Sequence, residues 1–311
     1  KFHAEKYSRM KDVQLVGVVD IDKSRAEDVA AAFGTSALTD YRDLFGSVDA
    51  VSVVVPTEAH YSVGAAFLNH DVDVLIEKPM TTSLEQADDL IKIAESKHRI
   101  LQVGHLERFN PAVIALKNIV HNPMFIEAHR LSIFKDRSTD VSVVLDLMIH
   151  DIDIIMNVVK SDIKSIHAAG VPVICGHADI ANVRLEFESG CVANVTASRI
   201  SIKNQRKIRL FQKDTYVSVD FAGREITIIK RDENHAGGVI PGMDIRQLSF
   251  SEADALEDEL ASFIEAVSDR KIPVVSGHAG RKALEVALSI MDQINTAIGR
   301  LENSNPLQGG P

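Results

Sequence analysis

Two groupings in this sequence combine the residue types that proton and hydride chemistry at a hydroxyl carbon requires. The first is Glu77-Lys78-Pro79, directly after the apolar run 72–76 (VDVLI). Proline restricts the residue before it to extended backbone, so Lys78 can be aimed from the end of a strand. An ammonium that is partly desolvated beside another positive charge gives up its proton more readily, which suits it to polarise a hydroxyl. The second grouping is Asp146 and His150, four positions apart in a helical stretch and so on one face, followed by Asp151 and Asp153. Histidine titrates near neutrality and can take the hydroxyl proton as the carbon loses a hydride, a contribution of about 10²–10⁴-fold in rate. A carboxylate such as Asp146 can orient the imidazole or grip a second hydroxyl. The same spacing permits a solvated ion pair, or a metal site in which His150 and Asp153 serve a zinc-dependent hydrolase.

These residues need elements to hold them, and the first third of the chain supplies a regular alternation. Apolar strand-like runs at 13–20 (VQLVGVVD), 49–55 (DAVSVVV), 72–76 and 100–103 (ILQV) are separated by helical patterns at Lys23–Phe33, 58–69 and 84–97. Gly34 stops the first helix, while Ser83 and Gln86 form a capping box at the start of the last. Near-continuous apolar strands between helices predict a parallel sheet covered on both faces, a Rossmann-type α/β domain over residues 1–118.

Near residue 120 the rhythm changes. Asn110-Pro111 reads as a helix cap with proline at the first position. Strand-like segments then follow at 125–133, 163–168, 181–187, 192–200, 207–212, 216–221 and 225–230, with Ser189-Gly190 as a hairpin turn. Helices are expected at 143–159, 252–268 and 279–300. The prediction for residues 119–311 is an α+β domain with a large, mostly antiparallel sheet. One face of that sheet needs covering by helices or by a second subunit. The polar tail 302–311 is expected to be mobile.

In a sheet of the first kind, ligands bind outside the carboxyl ends of the strands. Asp20 ends a strand where a carboxylate accepts hydrogen bonds from the adenosine ribose hydroxyls and repels a 2′-phosphate, which favours NAD over NADP; alternatively Asp20 or Asp22 caps the next helix. Pro56, Thr57 and His60 follow another strand end, though Thr57 also reads as an N-cap. The candidate cofactor-binding set is therefore Asp20, Ile21, Pro56, Thr57, His60, Glu77 and Lys78. The glycine turn whose backbone N–H groups would face a pyrophosphate is not among these residues, which open on a helical pattern. A first strand and its glycine loop are accordingly expected ahead of Lys1.

The bulk composition narrows the classes. A net charge of −10 and a pI near 5.6 disfavour a general nucleic-acid binder. No apolar run reaches the roughly 18 residues of a membrane span, and no secretory segment is read, so a cytoplasmic protein is expected. Cys175 and Cys191 lack the spacing of a zinc site and are read as reduced core residues in strand-like surroundings. No metal site is assigned.

The whole pattern resembles the Gfo/Idh/MocA oxidoreductases (glucose-fructose oxidoreductase, inositol dehydrogenase and relatives) from Ala4 to about Arg300. The residues carrying the resemblance begin with Leu15-Val16-Gly17-Val18-Val19-Asp20, Thr39-Asp40-Tyr41, Pro56-Thr57 with His60, and Glu77-Lys78-Pro79. They continue with Gly104-His105, Arg108-Phe109, and Leu145-Asp146-Leu147 with His150-Asp151. The resemblance implies an NAD-dependent dehydrogenase acting on a sugar hydroxyl, with Lys78 and His150 as the catalytic pair and Asp146 as a supporting or substrate-binding carboxylate. It also implies oligomerisation, as a homodimer or homotetramer, through the open face of the second domain's sheet. The run from Val103 to Pro111 (VGHLERFNP) is similar to the branch acting on the 3-hydroxyl of UDP-N-acetylhexosamines or their uronates. In that case Lys78, Arg108, Asp146 and His150 would hold the substrate, and Arg199 or Lys203 could serve its diphosphate. A non-catalytic regulatory protein of the same fold, sensing a dinucleotide or sugar, is the competing reading.

Overall fold

The computed structural model describes residues 1–134, 141–232, 240–251 and 253–304. By its contacts the chain forms two units: Lys1–Phe109 with Asp254–Lys282, and Asn110–Ala253 with the chain from Ala283 onward. The sequence predicts a single boundary, after residue 118; the contacts place the break after Phe109 and return a later segment to the first unit.

The first unit opens with α1 (Phe2–Tyr7), followed by β1 (Gly17–Val19), α2 (Lys23–Phe33) and β2 (Ser36–Leu38). Then come β3 (Ala50–Val53), α3 (Thr57–Asn69), β4 (Asp73–Glu77), α4 (Leu84–Ser96) and β5 (Leu101–Gly104). These strands pair in parallel: β1 with β2, and β3-β4-β5 in that order. The apolar run 13–20 shrinks to three strand residues, because only Gly17–Val19 find partners, on Ser36–Leu38. In β4, Val74, Leu75 and Ile76 are fully buried, as expected for a strand covered on both faces. Its helix α4 buries Ala87, Leu90, Ile91 and Ala94, an apolar stripe at helical spacing. Ser83 caps α4 by accepting the Gln86 N–H, but Gln86 reaches back to Thr82 rather than to Ser83, so the capping box is displaced by one residue. Gly34 ends α2 in the left-handed conformation (φ 66°) that glycine adopts without cost.

The second unit contains α5 (Pro111–Ile119), β6 (Phe125–Leu131), α6 (Ile149–Val159) and β7 (Ile163–Val171). Strands β8 (Ile180–Phe187), β9 (Val192–Ser198), β10 (Gln205–Gln212), β11 (Thr215–Asp220), β12 (Glu225–Arg231) and β13 (Met243–Ser249) follow. They form one eight-stranded sheet in the order β13-β12-β11-β10-β6-β9-β8-β7, antiparallel except for β6 with β9. Gly190 turns the expected β8–β9 hairpin at φ 84°. The single helix expected over 143–159 is two pieces: a π-helical turn at Val144–Met148, then α6.

Two helices close the chain, α7 (Ala255–Asp269) and α8 (Gly277–Ser304). The start expected for α7, residue 252, lies outside the described residues; of the polar tail, 302–304 continue α8 and 305–311 lie outside them.

Helix α7 belongs to the first unit because Leu260 and Phe263, both fully buried, pack in one cluster with Tyr7 and Leu75. Burying such side chains contributes about 1.5–3 kcal/mol each. From Ala283 onward α8 lines the second unit's core through Ala287, Ile290 and Ile294, alongside Ile126, Val195, Ile208 and Ile152. Gly170 in β7 admits this helix: a Cβ there would sit 2.8 Å from Ile294 Cδ1. No helix among the described residues is long and apolar enough to cross a membrane.

Candidate active site

The candidate residues divide between the units, with Asp20 to Arg108 on the first and Asp146, His150, Arg199 and Lys203 on the second. On the first, each group sits at the carboxyl end of a parallel strand. Asp20 follows β1, where its N–H donates to Leu38 O (3.1 Å) and its Oδ1 accepts the Asp22 N–H (2.9 Å). Asp22, not Asp20, caps α2 by accepting the Arg25 N–H, a bond that holds the Asp22 carboxyl below its ordinary range. Asp20 Oδ2 lies 3.7 Å from Arg25 Nη1. Ile21 beside it is almost wholly exposed.

Beyond β3, Pro56 rather than Thr57 occupies the cap position of α3, and Thr57 is the first helical residue. His60 is turned inward. Its Nδ1 lies 2.9 Å from Pro79 O and its Nε2 2.9 Å from Val55 O, and the ring is 1% exposed. With both nitrogens engaged inside the unit, this imidazole ties together the loops that end β3 and β4.

The Glu77-Lys78-Pro79 corner ends β4, and the Lys78–Pro79 peptide is cis. Glu77 Oε2 accepts the Lys78 N–H (3.2 Å), and Oε1 lies 3.3 Å from His3 Nε2 on α1. Burial pushes the Glu77 carboxyl up, but the hydrogen bond and charge of His3, with the amide and ammonium of Lys78, outweigh it and hold it below its ordinary range. Gly104, opposite Glu77 on β5, has no room for a side chain: a Cβ would stand 3.1 Å from Glu77 Oε2. Lys78 itself is half-buried. Arg108 lies in a 3-10 turn, Leu106–Phe109, where it is 9% exposed and its N–H donates to His105 O (2.9 Å).

On the second unit Asp146 lies in the π turn and His150 in the first turn of α6, both half-buried. The Asp146 N–H donates to Ser142 O (3.0 Å). The neighbouring carboxylate, Asp151, is engaged elsewhere: Arg130 of β6 grips it in a buried two-point bond, Nε to Oδ2 and Nη2 to Oδ1, each 2.9 Å. That pair fixes α6 on the sheet and removes Asp151 from a metal site with His150; among the described residues no three His, Cys, Asp or Glu side chains cluster as metal ligands.

Arg199 is buried, donating to Val141 O and lying 3.9 Å from Asp179 Oδ1. Lys203 is exposed. Cys175 is not a core residue: it sits half-exposed in the turn before β8, its thiol pushed up by the hydrogen bond it makes with Asp179. Cys191 is buried as expected, and both thiols are free.

Sequence reading picks out neither His3 nor Glu259. The signal for Glu259 is its register: it stands three residues after Leu256 and four before Phe263, on the apolar stripe of α7. Its side chain is fully buried, and among the described residues neither carboxyl oxygen has a hydrogen-bond partner.

A parallel α/β unit with an acid after its first strand, a glutamate–lysine corner at another strand end, and a second unit built on a large antiparallel sheet together define a Rossmann-type oxidoreductase. Residues 1–105 match the oxidoreductase family with an NAD-binding Rossmann fold, and residues 114–217 match the GFO/IDH/MocA C-terminal domain. A UDP-N-acetylglucosamine 3-dehydrogenase from Acidithiobacillus ferrooxidans is 36% identical over 96% of this chain and 95% of its own length. Its solved structure superposes with a TM-score of 0.88 over 95% of this chain and 94% of that one. A myo-inositol 2-dehydrogenase from Thermotoga maritima is 27% identical over 91% of this chain and 89% of its own. The chain belongs to the GFO/IDH/MocA family of oxidoreductases.

Proposed function

We propose that this protein is an NAD-dependent dehydrogenase that oxidises a hydroxyl carbon of a nucleotide sugar, with UDP-N-acetylglucosamine the first candidate. The observation that carries this reading is the 36% identity to a UDP-N-acetylglucosamine 3-dehydrogenase over nearly the full length of both chains. The same stretch holds the Glu77–Lys78 corner and the Asp146–His150 pair.

The residues of the first unit suit a dinucleotide. Asp20 Oδ2 stands 3.7 Å from the exposed Arg25, a long contact that leaves it able to accept ribose hydroxyls. Its charge opposes a 2′-phosphate, which favours NAD over NADP. A bound nicotinamide supplies the acceptor for the hydride. Lys78, its backbone pinned through Glu77, holds and polarises the reacting hydroxyl; His150 takes the proton; Asp146 orients the imidazole or binds a neighbouring hydroxyl. Arg108 contributes to holding the substrate.

The outer face of the eight-stranded sheet carries Phe125, Phe211 and Tyr216, with ring centroids 5.6 and 5.0 Å apart in sequence. This apolar stripe suits a symmetric contact with a second copy, in a homodimer or homotetramer. Incubating the protein with NAD and a panel of free and nucleotide sugars, while following NADH absorbance, tests the catalytic reading.

A further inference from the structure

The first unit holds a buried acid, Glu259, to which the reaction above gives no role. It is fully buried in α7, and among the described residues neither carboxyl oxygen has a hydrogen bond. Its charge is felt by Tyr7 of α1, the charge of Glu77 of β4 acts on it, and Gln102 of β5 bonds its backbone; His3 in turn meets Glu77, and Ser52 of β3 meets Tyr7. The turn Leu106–Phe109, with Glu107 and Arg108, also packs against α7. Tyr7 Oη and Ser52 Oγ share a bond of 2.8 Å, and Gln102 Nε2 donates to the backbone oxygen of Glu259 at 3.2 Å. Gln102 Oε1 and His3 Nδ1 have no hydrogen-bond partner among the described residues.

An ionised carboxylate in such a place would have lost its hydration with nothing in return, a cost that buried acids avoid by taking up a proton. We propose that Glu259 is held as a neutral acid and acts as a positioning residue for Lys78, leaving Glu77 the sole anion that fixes the lysine's backbone. Ionising Glu259 places a second negative charge near Glu77; Glu77, the stronger acid of the two, stays ionised, and the repulsion pushes its carboxylate from its place. Glu77 then loosens its hold on the Lys78 N–H and on His3. The functional half of this inference rests on the catalytic role given to Lys78 above; the protonation half stands without it.

Burial first, and then the charge of Glu77, push the Glu259 carboxyl up to about 8. The stability sign follows: the folded state keeps a proton that the unfolded chain releases near pH 4.5, so stability falls as pH rises from about 4.5 to about 8 and is level above.

The test begins with wild-type protein free of cofactor. Infrared titration should show a buried carboxylic-acid carbonyl at neutral pH that disappears around pH 8, and Glu259→Gln should lack it. The kcat pH profile of wild type should fall through the same pH, with KM little changed, while Glu259→Gln, a permanent neutral acid mimic, keeps kcat and loses that step. A wild-type spectrum with no such acid at neutral pH overturns the protonation claim whether or not the variant folds. An acid that titrates as expected, with an unchanged alkaline limb in Glu259→Gln, overturns the positioning role. Absence of turnover with any sugar would count against the proposed activity and leave the infrared result to decide the state of Glu259.

Discussion

The imidazole Nδ1 of His60 lies 2.9 Å from the carbonyl oxygen of Pro79, while its Nε2 lies 2.9 Å from that of Val55. One buried ring thereby links the loop that carries Thr57 to the corner that carries Lys78. Leaving a buried polar group unsatisfied costs about 1–3 kcal/mol. Replacing His60 by alanine should lower the unfolding free energy by about that amount and weaken NAD binding, as urea melts and a binding titration would register. An unchanged affinity for NAD would mean the two loops do not need this tie.

Asp20 is expected to set the choice of dinucleotide. Hydrogen bonds to a charged group are worth about 1.5–3 kcal/mol. Asp20→Ser should therefore weaken NAD binding by roughly 10- to 100-fold while NADP binding stays level or improves. Isothermal titration with both dinucleotides measures the ratio directly.

The Arg130–Asp151 pair should behave as a buried ion pair whose partners depend on each other. Both side chains are nearly inaccessible, 4% and 3% exposed, and Arg130 also faces the Phe221 ring at 6.0 Å. Removing one partner of such a pair costs about 3–5 kcal/mol because the other charge is left buried. Asp151→Ala should show that loss in a urea melt. A loss below about 1 kcal/mol would place Asp151 among the solvated pairs instead.

Helix α7 is expected to stabilise the first unit despite its distance in the chain. Phe263→Ala should cost about 3–5 kcal/mol, since a fully buried aromatic side chain leaves a cavity when truncated. Hydrogen exchange after the substitution should rise around Tyr7 and Leu75, its partners in the cluster.

The strand β4 was legible in sequence because both its faces are covered, so its apolar run is nearly unbroken. Helix starts at Ser83 and Asn110-Pro111 were legible for the same local reason, a cap followed by a helical pattern. Strands β2 and β13 were not. The first is three residues, Ser36-Ala37-Leu38, with no β-branched member, and the second is an edge strand whose residues are mostly exposed and follow no alternation. The π turn at Asp146 leaves no mark, because apolar spacing does not separate a four-residue from a five-residue hydrogen-bond step. Lys78, Asp146 and His150 stood out by residue type and neighbours. Glu259 did not, because it lies in the acidic run Glu257-Asp258-Glu259, which reads as a solvated helix start until its register against Leu260 and Phe263 is considered. The burial of Arg199 against Val141 and Asp179 was not legible either, because it depends on a loop geometry that residue types do not encode.

Hydride removal assisted by Lys78 and His150 is decided by single-turnover and steady-state NADH formation with NAD and UDP-N-acetylglucosamine, comparing wild type with Lys78→Ala and His150→Ala. NADH is expected from the wild-type protein, with a loss of about 10²–10⁴-fold in kcat for each variant and folding preserved by circular dichroism. Full turnover by either variant, or no NADH from the wild-type protein with any nucleotide sugar, would refute these roles.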